Sequence, residues 1–228
     1  MRYTETMISR YTLYDTAELS SHYNLTEGLP KGVKPHYNIS PTISAPVIVS
    51  REGTHVIKLM KWGLVAKGAK DTNSVFRYKT YNIPSEKIFS KHSWEQLALG
   101  SRCLIPANGF YDLNGSGKKR AFYTGANDKS MLAFAGVYSS WQDPEGVTRG
   151  VYSMVTTEAD LSRPNFSGRM PVIIKRADEA RWLDPTVNDA SSIYDMIRPY
   201  PSDLLTVHEV SPAVHSPKPN QPSLIDKI

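Results

Sequence analysis

The sequence has almost no cysteine: one thiol, Cys103, in 228 residues. That excludes an intramolecular disulfide and any multi-cysteine metal centre. The apolar run around it, RCLIPANGF, suits a buried structural thiol. Long hydrophobic runs are missing as well. No stretch approaches the roughly 18 apolar residues of a membrane-spanning helix, and the start, MRYTETMISRYTL, lacks the apolar segment of a secretory signal. The expectation is a cytoplasmic protein with no membrane partner. Nor is there a large excess of one charge: the formal net charge is +5, which permits a polyanionic partner without requiring one.

What the sequence does contain is strand signal. SAPVIVSREGTHVIKLMKWGLV runs apolar on both sides of Arg51-Glu52-Gly53, the pattern of a hairpin. RCLIPANGFYDL, RAFYTG, MLAFAGVYSSW, GVYSMVTT, MPVII and LLTVHEV follow, separated by turns rich in Gly, Asn, Asp and Pro. The densest basic stretch, Lys118-Lys119-Arg120, falls on one such turn. Helical signals are fewer: YDTAELSSHYN from a cap at Asp15, HSWEQLALG with Ser93 at its cap and Gly100 at its stop, ADEARWL and DASSIYDMI. Few helices among many short strands predict an α+β fold, one domain with a mainly antiparallel, barrel-like sheet core. The closing SPKPNQPSLIDKI reads as an extended tail.

Generic catalytic signatures are absent: no phosphate-cradling glycine loop, no HExxH and no GxSxG. The six histidines, His22, His36, His55, His92, His208 and His215, have no metal-ligand spacing, so neither metal nor cofactor is expected.

An ordered series of segments nevertheless resembles one family. SRYTL, HYNISPT, LMKWGLVAKGAKD, YNIPSE, RCLIPANGFYDL, LAFAGVYSSW, GRMPVII and VSPAVHSPK occur in the order and spacing of the SRAP proteins (SOS response-associated peptidase), which crosslink to abasic sites in single-stranded DNA. The resemblance divides the chain into an extension (1–7), an SRAP-like domain (8–217) and a tail (218–228). It also implies site residues. The family's N-terminal cysteine corresponds to Ile8, its carboxylate to Asp112, and the histidine before its Arg-Met-Pro turn to Ser167. A family arginine that would hold a phosphate corresponds to Pro84, which offers neither a cation nor a main-chain donor.

The family chemistry needs an amine and a thiol on one residue, to condense with the abasic aldehyde and close the adduct. Isoleucine has no thiol, and serine does not titrate near neutral pH as histidine does. The expectation is therefore a degenerate site, a pseudoenzyme whose role is non-covalent binding of single-stranded or abasic DNA. The resemblance places Arg10, Asn38, Pro41, Trp62, Asn82 and Arg169 along the DNA groove, with Arg on phosphate and indole on base. Each has a plainer reading: Trp62 as core, Arg169 paired to a carboxylate, Asn38 and Asn82 satisfying loop backbone, Asp112 as a strand-end carboxylate. Two other functions stand beside this one. Lys79, Lys87 or the α-amine could form an imine with the aldehyde, or the fold could serve as a scaffold in a phage or mobile element with no role on DNA.

Overall fold

The computed structural model describes residues 7–66, 68–114, 120–159 and 168–228, with Asn114 by its main chain alone. In chain order come β1 (Tyr11–Leu13), α1 (Leu19–His22), β2 (His36–Ile39), β3 (Ser44–Arg51), β4 (Thr54–Trp62), α2 (Asn73–Tyr78) and β5 (Asn82–Pro84). Next are α3 (His92–Gly100), β6 (Arg102–Ala107), β7 (Gly109–Asn114), β8 (Arg120–Ala126), β9 (Leu132–Gln142) and β10 (Thr148–Glu158). β11 (Arg169–Pro171), β12 (Ile173–Ile174), α4 (Glu179–Leu183), α5 (Ala190–Met196) and β13 (Leu205–Val210) complete the order, with short 3-10 turns between them.

β4, β3, β6, β9 and β10 pair in that sequence, and β10 pairs back onto β4, closing a five-stranded barrel. Only the β10–β4 seam is parallel. Closure removes the open edges that would otherwise pair with other chains. An antiparallel sheet, β13-β8-β7-β1-β2, lies beside the barrel. This is the expected α+β single domain with a barrel-like core. The β3–β4 hairpin forms where the sequence predicts it: Glu52 and Gly53 both take left-handed backbone, φ 51° and 78°, the two-residue turn that suits strand twist.

RCLIPANGFYDL does not form one strand. It breaks at Asn108, so that β6 belongs to the barrel and β7 to the neighbouring sheet. The Asn108 side-chain Oδ1 accepts from the main-chain N–H groups of Tyr14 (2.8 Å) and Asp15 (3.0 Å), and its own N–H donates to Thr12 (2.9 Å). Gly109 must follow, because a Cβ there would lie 2.4 Å from the Thr124 carbonyl.

The predicted helices fall on their segments, some with different starts. α1 begins at Leu19 rather than near Asp15, and α3 is preceded by Lys91 instead of a Ser93 cap. α5 has the expected cap, with Asp189 accepting from the Ser192 N–H. The tail is packed: a 3-10 turn at Pro222–Ile225 buries Leu224, and Lys227 bridges to Val210 at the edge of the sheet. No helix among the described residues is long and apolar enough to cross a membrane.

Where the sheet meets the barrel, Tyr11 packs edge-on to Trp62 at 5.1 Å between ring centres, and its hydroxyl shares a 2.6 Å hydrogen bond with that of Tyr152. All three rings are fully buried. Cys103 is buried too, and burial pushes its thiol far above the usual range, so it supplies no substitute nucleophile.

Candidate functional site

Residues 8–10 lead into β1 alongside β7, where the Tyr111 N–H donates to the Arg10 carbonyl at 3.0 Å. Ile8 is the residue that the sequence resemblance sets against the family's nucleophile. Its side chain is part of the main core, 2% exposed, and its carbonyl accepts from the Asn82 side-chain amide at 2.6 Å. Asn82 lies on β5, opposite Met154 of β10, and its Oδ1 has no partner among the described residues. Asp112, on β7 opposite Phe122, is 1% exposed. Ser167 lies outside the described residues, as do Gly117–Lys119 and residues 1–6.

Arg10 and Arg169 differ in a way that sequence does not reveal. The Arg169 guanidinium, 4% exposed, is spent inside the protein. Nη1 and Nη2 grip Glu86 at 2.8 and 3.1 Å, Nε donates to the Thr156 hydroxyl at 3.1 Å, and Nη2 also donates to the Thr156 carbonyl at 2.8 Å. Burial alone would raise the Glu86 carboxyl. The Arg169 fork, the main-chain N–H of Glu86 and Ser85 outweigh it and hold the group below its ordinary value.

Arg10 is half-buried and has no carboxylate partner among the described residues. Its Nη1 donates to the Ser9 carbonyl at 2.7 Å and its Nη2 to the His215 carbonyl at 3.1 Å, while Nε has no partner among the described residues. Desolvation lowers the Arg10 pKa, partly offset by neighbouring Tyr81. Among the described residues, no acidic group compensates this positive charge, two positions from Ile8.

The remaining sequence candidates sit deeper. Trp62 is fully buried, walled by Tyr11, Tyr81 and Tyr152, with its indole N–H on the Tyr81 carbonyl at 2.7 Å. No ring face is open to a base. Pro41 is buried and opens a strained turn in which Thr42 adopts φ 73° and donates its N–H to the Trp62 carbonyl at 2.7 Å. Asn38, at 0% exposure, donates both N–H groups to the tail, to Ser216 (2.8 Å) and Pro219 (3.0 Å). Thus the structure brings Asn82 onto Ile8, two positions from Arg10, and commits the polar groups of Trp62, Asn38 and Arg169 to internal partners.

Sequence reading missed α2. Phe76 is 56% exposed and Tyr78 67%, interleaved with Arg77 and Lys79, which are exposed and form no ion pair among the described residues. Phe76 touches Tyr81 at 6.5 Å between ring centres, and Tyr81 is the charge neighbour of Arg10. α2 is held tightly against Gly63, where a Cβ would lie 2.3 Å from Val75. The available signal was the FRYK alternation of aromatic and basic residues just before the family's asparagine segment. Lys79 and Lys87 are both exposed. Among the described residues no three His, Cys, Asp or Glu gather to hold a metal ion.

The family described as SOS response associated peptidase (SRAP) matches residues 7–217. Abasic site processing protein YoqW of Bacillus subtilis (strain 168) is 31% identical over 224 residues, spanning 96% of this chain and 99% of that one. Abasic site processing protein HMCES of Mus musculus is 28% identical over 229 residues, spanning 84% of this chain and 64% of its own. A crystal structure of a Bacteroides thetaiotaomicron protein superposes with a TM-score of 0.82, covering 96% and 99% of the two chains, at 19% identity, which establishes likeness of fold.

Proposed function

This chain belongs to the SRAP family, and from that premise we propose that it binds single-stranded DNA at abasic sites without forming the covalent adduct. The observation that carries the reading is Arg10: a partly desolvated guanidinium held, among the described residues, by main-chain carbonyls and by no carboxylate. Leaving a buried charge unpaired is costly, and a DNA phosphate is the natural counter-ion. The exposed Phe76, Arg77, Tyr78 and Lys79 add a surface on which unstacked bases stack and phosphates are met by cations.

Absence of the covalent step rests on Ile8. An apolar side chain sunk in the core, with its carbonyl tethered by Asn82, supplies no nucleophile. Imine chemistry on Lys79 or Lys87 is disfavoured by their exposure, because a nucleophilic lysine needs a desolvated pocket or a cationic neighbour.

The test is a single-stranded oligonucleotide with one abasic site, followed by fluorescence anisotropy and by denaturing gel with and without borohydride. Salt-sensitive binding with no shifted band in either lane is the expected outcome. A shifted band without reductant, or no binding at low salt, would overturn the reading.

A further inference from the structure

The Arg10 guanidinium is aimed by the C-terminal tail, and Asn38 holds the tail in place. After β13 the chain turns through Pro212–His215 and crosses to the opposite edge of the five-stranded sheet. There the His215 carbonyl takes Arg10 Nη2, and one residue later the Ser216 carbonyl takes Asn38 Nδ2. Asn38 also holds the Pro219 carbonyl, and the Asn220 side chain caps the main-chain N–H of Tyr37 on edge strand β2 at 2.7 Å. The chain then returns to β13, where His208 Nε2 lies 2.8 Å from the Ile225 carbonyl and the Ile228 N–H donates to Glu209 at 3.1 Å. The tail is thus a strap pinned at both edges of the sheet, and its carbonyl at His215 is one of the two that orient Arg10.

We propose that Asn38 is a positioning residue for phosphate recognition, acting through the strap and Arg10 and making no contact with DNA itself. The proposal rests on the reading of Arg10 as a phosphate contact. Three features carry it. Asn38 is at 0% exposure, so DNA has no access to it. Both of its N–H groups are committed to strap carbonyls. A guanidinium oriented by carbonyls keeps its whole charge for an incoming anion, so that fixing those carbonyls beforehand lowers the ordering cost of binding.

The experiment measures anisotropy of a labelled single-stranded oligonucleotide carrying a tetrahydrofuran abasic analogue, across a salt series. Wild type, Arg10→Gln, Asn38→Ala and the double variant are compared. Arg10→Gln is expected to weaken binding about tenfold and to reduce the salt slope by about 0.7, one phosphate on a single strand. Asn38→Ala is expected to weaken binding in the same direction and to reduce the slope likewise. The double variant should be no weaker than Arg10→Gln alone, which a purely structural asparagine would not produce. If the two losses multiply, Asn38 acts independently of Arg10 and the proposal falls while the phosphate reading stands. If Arg10→Gln leaves the slope unchanged, the phosphate reading falls and takes the proposal with it. Should Asn38→Ala fail to fold, Asn220→Ala, at an exposed strap position, replaces it in the same cycle.

Discussion

The side-chain amide of Asn82 donates to the main-chain carbonyl of Ile8 at 2.6 Å, and each residue is 2% exposed. The main chain at Ile8 is therefore held from β5 by a bond that does not involve the Ile8 side chain. Ile8→Cys in the full chain is expected to give no stable adduct with abasic DNA, because a mid-chain cysteine has a thiol but an amide where the reaction needs an amine. An adduct on a denaturing gel would refute this. The substitution also empties core volume and is expected to cost about 1–3 kcal/mol in chemical denaturation.

Trp62 gives a prediction about stability. With the ring enclosed and the indole N–H satisfied, Trp62→Ala should destabilise the protein by about 3–5 kcal/mol. Trp62→Phe keeps much of the volume, loses the hydrogen bond to Tyr81, and should retain DNA affinity within about twofold once folded, since no ring face meets a base. A large loss of affinity in a folded Trp62→Phe protein would contradict the buried placement.

Glu86 gives a pH dependence. Its folded pKa lies below the ordinary 4.5, so on acidification the unfolded chain takes up the proton first. The stabilisation by Arg169 is present above about pH 4.5 and is lost as pH falls through the lower folded value. Because the Glu86 side chain is 43% exposed, the effect is screened and stays under about 1 kcal/mol. Thermal melts of Glu86→Gln between about pH 5 and 3 should fall less steeply than those of wild type.

α2 offers a surface test. Phe76→Ala and Tyr78→Ala remove exposed rings, so melting temperatures should hold while single-strand affinity drops by about 1–3 kcal/mol per stacked base lost. Unchanged affinity in both variants would remove α2 from the interface.

Much of the fold was legible because alternation and turn chemistry are local. MLAFAGVYSSW became β9, GVYSMVTT lies within β10 and LLTVHEV covers β13. The misses have a common cause in long-range contacts. RCLIPANGFYDL reads as one strand, yet it splits because the Asn108 side chain serves the N–H groups of Tyr14 and Asp15, almost a hundred residues earlier. MPVII splits likewise, with β11 pairing to β10 and β12 to β9.

In the candidate site, the identity of Ile8 was readable, but the contrast between Arg10 and Arg169 was not. Both are arginines in motif segments, and only the fold sets Glu86 beneath one of them. The tail's role was equally hidden, since its anchors at Asn38 and Tyr37 lie more than 170 positions away along the chain.

β10 has one further consequence, for how the molecule opens. From Thr148 to Met154 it pairs with β9 of the barrel, and from Met154 to Glu158 it pairs with β5 and β11, which carry Asn82 and Arg169. The amides that join these strands, such as Met154 on Tyr81 and Val172 on Val155, therefore belong to the same cooperative unit as the barrel. In hydrogen exchange they should report the slowest, global opening. Ligand-binding regions usually breathe faster than the core around them; here the strands that carry Asn82 and Arg169 are expected to keep the barrel's own clock.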